Sequence, residues 1–551
     1  MSARLTLAAG LVALLLPVGS AVGQGPSPPA KRAAAAIPDV QTLAVLIDQH
    51  LAKRWADVKV TPAPLADDAE FLRRVYLDLA GRIPSVAEAR SFLTDKNADR
   101  RTRLVERLLA SPRYVTHFAN VYRALLIPEA SNNFLVRLQQ GSFEDWLKQQ
   151  VGRNVGYDRL VHELLTAPLP QGFNAFSFGG NAAPSTLAFY SAKEFRPENL
   201  AAGTARAFLG ISIECAQCHP HPFADWKREQ FWGFAAFFSG IQSQRFMDFL
   251  LPGAELQFKR ELTMPNSEKV IQARFFDGAQ PAWKEGKATR AALADWVTSA
   301  SNPYFARTTV NRTWAYFFGT GLIEPVDEMV GTDVKASHPE LLDLLAREFA
   351  EHQFDMKFLI RAITATRAYQ LTSAGRDKAQ EDATLFARMP LRGLTAEQLF
   401  DSVAMATGYR DAGNAGDDLL SAIAGGKRSA RSEFLNKFGN QTERPVKAQT
   451  SILQALSLMN GRVVADATSL ERSETLGALL DAPFLSTAER IEALYLAALA
   501  RRPSERERER ALRFVDEAVR DASGSNSAAY NNAVADVFWA LLNSSEFVLN
   551  H

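Results

Sequence analysis

Apolar residues recur at helical spacing along most of this 551-residue chain. Leu43, Leu46, Ile47 and Leu51 form one stripe, and Phe71, Leu72, Val75, Tyr76 and Leu79 form the next. Gly81 is placed to end that second helix, because glycine tolerates the left-handed conformation that closes a helix. Ser85-Val86-Ala87-Glu88 has the spacing of a capping box and predicts a helix start. Leu104, Val105, Leu108 and Leu109 make a third stripe, which Ser111-Pro112 stops, and an aromatic helix follows through Tyr114, Phe118 and Tyr122. Pro197 to Ile211 predicts another helix. Residues 170–190, rich in Gly, Asn and Phe, read as a long loop able to cover a site.

The pattern changes over residues 241–289. Leu256, Phe258 and Leu262, then Val270, Ile271, Ala273 and Phe275, predict short strands, with Pro252, Gly253, Pro265, Gly278 and Pro281 as turn residues. Helical spacing returns from about residue 290. Ser337-His338-Pro339-Glu340 predicts a second capping box, with His338 in the cap region, ahead of Leu341, Leu342, Leu345 and Phe349. Residues 425–443 read as polar loop, and Arg501 to Arg510 as a solvated, mixed-charge helix face. The chain is therefore expected to be mainly α. It divides into a linker (24–39), a helical domain (40–240), a β-containing connector (241–289) and a second helical domain (290–551).

A weak internal repeat links the two ends. Tyr76-Leu77 through Pro84-Ser85 parallels Tyr495-Leu496 through Pro503-Ser504, with Arg82 and Arg502 close before the proline. Leu108-Leu109-Ala110-Ser111 with Tyr114-Val115 parallels Leu541-Leu542-Asn543-Ser544 with Phe547-Val548. The spacing between the two blocks differs by about fourteen residues, so related helical units of unequal length are expected to open and close the chain.

Composition adds two constraints. A net charge of +1, from 62 basic and 61 acidic residues, gives no basic excess for a nucleic-acid partner. Residues 1–23 read as a secretory signal peptide: Arg4 precedes an apolar run from Leu5 to Val18, and Ala21-Val22-Gly23 offers a small-residue cleavage site. The apolar run is too short for a comfortable membrane span, so no span is expected in the mature chain, and an exported protein of the periplasm or cell surface is expected.

The candidate chemistry sits at Cys215-Ala216-Gln217-Cys218-His219, which holds both cysteines of the chain. C-x-x-C-H is the spacing at which two thiols tether one covalent haem c and the histidine ligates its iron. The run continues through His221 and Asp225 and carries seven aromatic rings in sixteen residues from Phe223 to Phe238. Such rings can wall off a flat cofactor, although Phe231, Phe234, Ala235 and Phe238 also follow the spacing of a core helix. Met247, Met264, His117, His162 and His338 are the candidates for a further iron ligand. Two alternatives stay open: a zinc or iron site on Cys215, Cys218 and His221 with Asp225, or a Cys215–Cys218 disulfide in a helical interaction scaffold. Arg307, Asn311, Arg312 and Trp314 share a helical side and read as a buried polar network holding helices together.

Residues 40–240 resemble the second type of planctomycete cytochrome C-like domain, a domain of unknown function. The resemblance rests on FLRRVYLDLAGRIPS, LLASPRYVTHFANVY and CAQCHPHPFADWKREQFWGFAAFF. Residues 290–551 resemble the planctomycete domain of unknown function that usually accompanies it, through NPYFARTTVNRTWAYFFGTGLIEP, SHPELLDLLAREFAEHQFDMKFLIRAIT, LTAEQLFDSV, QALSLMNG and WALLNSSEFVLNH. The resemblance implies a cytochrome-like protein whose haem chemistry resides at Cys215, Cys218 and His219; the haem reading in turn makes a redox-partner protein the expected partner. It implies no particular reaction.

Overall fold

The computed structural model describes residues 37–131, 133–169, 184–220, 226–241, 255–331, 334–375, 377–410, 429–438, 461–522 and 525–551. Among them are 22 α-helices and two small two-stranded sheets, so the protein is mainly α. Helices α1 (Ile37–Asp57), α2 (Asp68–Ala80), α3 (Val86–Thr94), α4 (Arg100–Leu109) and α5 (Pro112–Leu126) follow the apolar stripes in order. Helices α6 (Phe134–Gly152), α7 (Tyr157–Thr166), α8 (Leu187–Ala192), α9 (Pro197–Thr204) and α10 (Arg228–Ala235) come next. Strands β1 (Glu261–Thr263) and β2 (Val270–Gln272) form the expected connector as one antiparallel hairpin, with Leu262 opposite Ile271.

The second half holds α11 (Thr289–Val297), α12 (Phe305–Phe318), α13 (Pro339–Glu351), α14 (Met356–Ala365) and α15 (Ala396–Thr407). It continues with α16 (Ala430–Phe438), α17 (Arg462–Ala467), α18 (Glu474–Leu480), α19 (Thr487–Leu499), α20 (Glu505–Arg520), α21 (Asn526–Leu542) and α22 (Ser545–Val548). Strand β3 (Arg392–Gly393) pairs antiparallel with β4 (Leu549–Asn550), which brings residue 550 back to the middle of the molecule.

Four local expectations need correction. Residues 187–190, at the start of α8, and 430–438 are helical where loops were expected. Ser85 does form its capping box with Glu88, but Ser337 caps nothing: its Oγ donates to Leu322 O at 3.2 Å, and His338 takes the N-cap position of α13. The Pro197–Ile211 helix stops at Gly210, whose φ of 64° ends it. Its last turn, Ala205–Leu209, widens to π geometry. The carbonyls of Arg206 and Ala207 there both accept from the Arg312 guanidinium. A cation at a helix C-terminus also suits the partial negative charge of that end.

The terminal repeat is real and closer than the sequence shows. Helices α2 and α19 are both 13 residues long. Each ends in a left-handed residue, Gly81 (φ 67°) and Ala500 (φ 59°). Each is followed by a capping box, Ser85 with Glu88 and Ser504 with Glu507. Arg82 pairs with Glu88, donates to Ile83 O and lies 5.6 Å from the Tyr76 ring centre. Arg501, rather than Arg502, is its counterpart: it pairs with Glu507, donates to Arg502 O and lies 5.5 Å from the Tyr495 ring. Ser111 and Ser544 cap α5 and α22 alike, accepting from the N–H groups of Tyr114 and Phe547 at 3.2 Å. The middle helices are 16 and 17 residues in the second unit against 9 and 10 in the first, about two turns more each, which accounts for the unequal spacing.

One apolar core takes residues from Val40 through to Ala500, and a second, formed mostly by α15 to α22, takes in Leu77 and Ile83 from the first half. Two fully buried arginines of α2 tie the halves together. Arg73 donates to Ala498 O at 3.2 Å and Phe547 O at 2.6 Å; Arg74 donates to Tyr369 O at 2.6 Å and His551 O at 3.0 Å, and pairs with Glu70. Charged donors on main-chain acceptors make the strong class of hydrogen bond, and here they satisfy carbonyls that lie outside any helix ladder.

Candidate functional site

The C-x-x-C-H residues lie on a short 3-10 turn, Glu214–Gln217, and the residues just after it. Ala216 is buried and pins the turn to the core. Gln217 O accepts from Trp232 Nε1 at 3.1 Å and from Arg228 Nε at 3.2 Å, both on α10. The anchoring turns the neighbouring side chains outward, so Cys215, Cys218 and His219 are all exposed. Both thiols are free, and no disulfide joins them. His219 Nδ1 lies 2.7 Å from Pro220 O. A carbonyl only accepts, so Nδ1 carries the proton and Nε2 is left with its lone pair, the tautomer that suits a metal ligand.

The described rings of the aromatic run are packed into the core. Phe231, Trp232, Phe234, Phe237 and Phe238 are all buried. Phe234 stacks on Phe276 at 4.2 Å, Phe237 on Phe275 at 5.2 Å, and Phe275 on Trp296 at 4.7 Å. These rings join the connector to α11. The donor set therefore fits covalent haem attachment, while the described rings form no crevice around it.

His221, Asp225 and Met247 lie outside the described residues. Among the described residues no group of three His, Cys, Asp or Glu is placed to hold a metal ion. Met264 is buried, and His162 pairs with Asp295 at 2.8 Å. His338, at the start of α13, is pushed down to about 4 by burial. Asn311 and Arg312 do hold elements together as expected: Asn311 bonds both ways with the Ile323 backbone, and Arg312 pairs with Asp327. Arg307 instead pairs with Asp343 in a partly exposed position.

A feature that sequence reasoning did not find is a cavity of about 690 Å³ between α5, α12 and the start of α15. It is lined by none of Cys215, Cys218 and His219. One side is a polar relay. His117 Nε2 lies 2.6 Å from the Tyr316 hydroxyl, which donates to Asp78 O at 2.7 Å. The single phenol proton is spent on that carbonyl, so His117 Nε2 carries a proton and donates to the phenol oxygen. His117 is therefore committed and offers no lone pair at Nε2 to a metal. Burial pushes its pKa down to about 4, and burial with the Asp78 charge pushes Tyr316 well up. The Thr395 capping box with Gln398 sets the start of α15 and turns Glu397 to Arg123, at 2.9 Å.

Two family models match the chain in succession. Residues 46–243 match PSCyt2, a protein of unknown function (DUF1549), and residues 289–515 match PSD1, a protein of unknown function (DUF1553). The chain carries a PSCyt2 domain followed by a PSD1 domain. No curated protein and no solved structure matches it. The cysteine turn lies wholly in the PSCyt2 part. The cavity draws on both parts: α5 comes from PSCyt2, α12 and α15 from PSD1. Capping and periodicity signals mark each of those helices in the sequence, but nothing local says that residues 117, 316 and 397 meet. No helix among the described residues is long and apolar enough to cross a membrane.

Proposed function

We propose that this PSCyt2–PSD1 protein is an exported, c-type-cytochrome-like carrier of one covalent haem. It would exchange electrons with a redox-partner protein or support an extracytoplasmic oxidation. The observation that carries the reading is the pair of free, exposed thiols on one turn beside a histidine with its Nε2 lone pair available. Cys215 and Cys218 would tether the group and His219 Nε2 would ligate its iron. When bound, haem supplies one-electron chemistry. The exposed turn would hold it at the surface, within reach of a docking partner. The leader-like pattern of residues 1–23 supports export to the compartment where such attachment takes place.

The test is a visible spectrum with a pyridine haemochrome assay on protein exported from a host with haem-attachment machinery, beside Cys215→Ala, Cys218→Ala. A c-type band that stays with the denatured wild-type chain and vanishes in the double variant is expected. A colourless wild type overturns the proposal. Stoichiometric zinc or iron in that colourless sample, lost on His221→Ala, would move the assignment to a non-haem site on Cys215, Cys218 and His221.

A further inference from the structure

The cavity between α5, α12 and α15 is independent of the cysteine turn, and its lining has a consistent chemistry. Its half-buried charges are already paired: Arg312 with Asp327, Arg392 with Asp78, and Glu397 with Arg123. The two other charged residues on its lining, Arg206 and Glu324, are of opposite sign. An ionic ligand would bring a charge that meets no surplus countercharge. Burying such a charge is costly, so the lining selects for a neutral ligand.

The same lining offers hydrogen bonds. Asp327 meets Arg312 through Oδ1 alone, and Glu397 meets Arg123 through Oε1 alone. The second oxygen of each carboxylate has no partner among the described residues, so each pair keeps an acceptor to spare. Tyr122 and Tyr157 are only 8 % and 4 % exposed, and their hydroxyls have no partner among the described residues. Burial pushes Tyr157 up to about 12 and Tyr122 well up, so both stay protonated and can donate. Asn120 and Thr320 add an amide and a hydroxyl group.

One wall is a row of rings. Tyr316, Phe118, Tyr122 and Tyr157 follow one another with centres 5.8, 6.3 and 5.7 Å apart. A ligand suited to all three features is neutral, carries several hydroxyls and has an apolar C–H face. We propose that the cavity binds a neutral saccharide, its apolar face toward this aromatic wall and its hydroxyls on Tyr122, Tyr157, Asp327 and Glu397. The volume lies in the range of small-molecule sites, about 300–1,000 Å³.

The experiment is calorimetric titration of the full chain with maltose, cellobiose, lactose and xylobiose, with sodium galacturonate and sodium phosphate as charged controls. At least one neutral disaccharide is expected to bind at millimolar concentration or below, with the controls weaker. Tyr157→Phe and Tyr122→Phe keep the rings and remove the hydroxyls. Each is expected to weaken binding about fivefold, the worth of one hydrogen bond. Cys215→Ala, Cys218→Ala is expected to leave affinity unchanged, so failure here is distinguishable from failure of the haem reading. Absence of binding by every neutral disaccharide, binding of the charged controls alone, or full affinity in the Tyr122→Phe, Tyr157→Phe double variant would each overturn the proposal.

Discussion

Asp78 is 1 % exposed and accepts two hydrogen bonds from Arg392, one from the Tyr369 hydroxyl and one from Asn550 Nδ2, at 2.7–3.0 Å. Its neighbours come from three distant stretches of chain. Asp78→Asn keeps the shape and leaves Arg392 charged and largely buried without a counterion. A loss of about 3 kcal/mol or more is expected in urea unfolding, and Arg392→Gln added to it should recover part of that loss. His117 and His338 make a second prediction. Burial lowers both from 6.5 to about 4, so the native state resists protonation while the unfolded chain takes it up. Stability is therefore full above about pH 6.5 and is lost progressively as the pH falls from there through about 4, on the order of 3 kcal/mol for each residue. Glu507, lowered to about 2 chiefly by its bond to Arg501, adds its loss at more acidic pH. Thermal melts across pH 4–7 should show the slope, and His117→Gln should flatten it.

At the level of the helix, the two related units invite parallel substitutions. Ser85→Ala and Ser504→Ala each remove an N-cap bond, and each is expected to cost about 1 kcal/mol. The left-handed caps should behave differently from one another. Ala500 shows that a Cβ is tolerated at that position when there is room. A Cβ on Gly81 would lie 2.8 Å from His117 Cγ, so Gly81→Ala adds steric overlap to the strain of the left-handed backbone. A loss of about 2–3 kcal/mol is expected, with a changed pH slope because His117 is displaced. The contrast between Ser85 and Ser337 shows the limit of a local signal. Both have the capping-box spacing, but Ser337 is drawn to Leu322 O by a tertiary contact. The end of α9 is similar: its helical pattern runs on to Ile211, yet Arg312, a hundred residues away in sequence, takes the carbonyls of its last turn.

For the whole molecule, the two family parts do not own separate cores. The first core includes α1 to α5 together with α12, α13 and α14, and Arg73 reaches the last helix of the chain. A fragment of residues 40–288 expressed alone would leave Arg73 without acceptors and Arg74 with Glu70 alone, and would expose the apolar faces of α1, α2 and α5. It is expected to lack a near-ultraviolet circular dichroism signal and a cooperative melt, where the full chain shows both. A fragment with native-like signals would show that the PSCyt2 part folds by itself.

The sequence by itself determined most of the helices of the first half, several of their caps, the hairpin region, the domain pair, the C-x-x-C-H spacing and the repeat at the two ends, but not the helices at 187–192 and 430–438. These features are legible because periodicity, capping residues and motif spacing act within a few turns of chain, where order along the sequence is also order in space. Tertiary structure alone decided which faces of those elements meet. The aromatic run after Cys218 reads equally as cofactor wall or core, and only its stacking on Phe275 and Phe276 assigns it to the core. The cavity was invisible for the same reason: Tyr122, Tyr157, Asp327 and Glu397 are ordinary residues in their own helices and loops. They acquire unfilled hydrogen-bonding capacity only when the packing of distant helices buries them together.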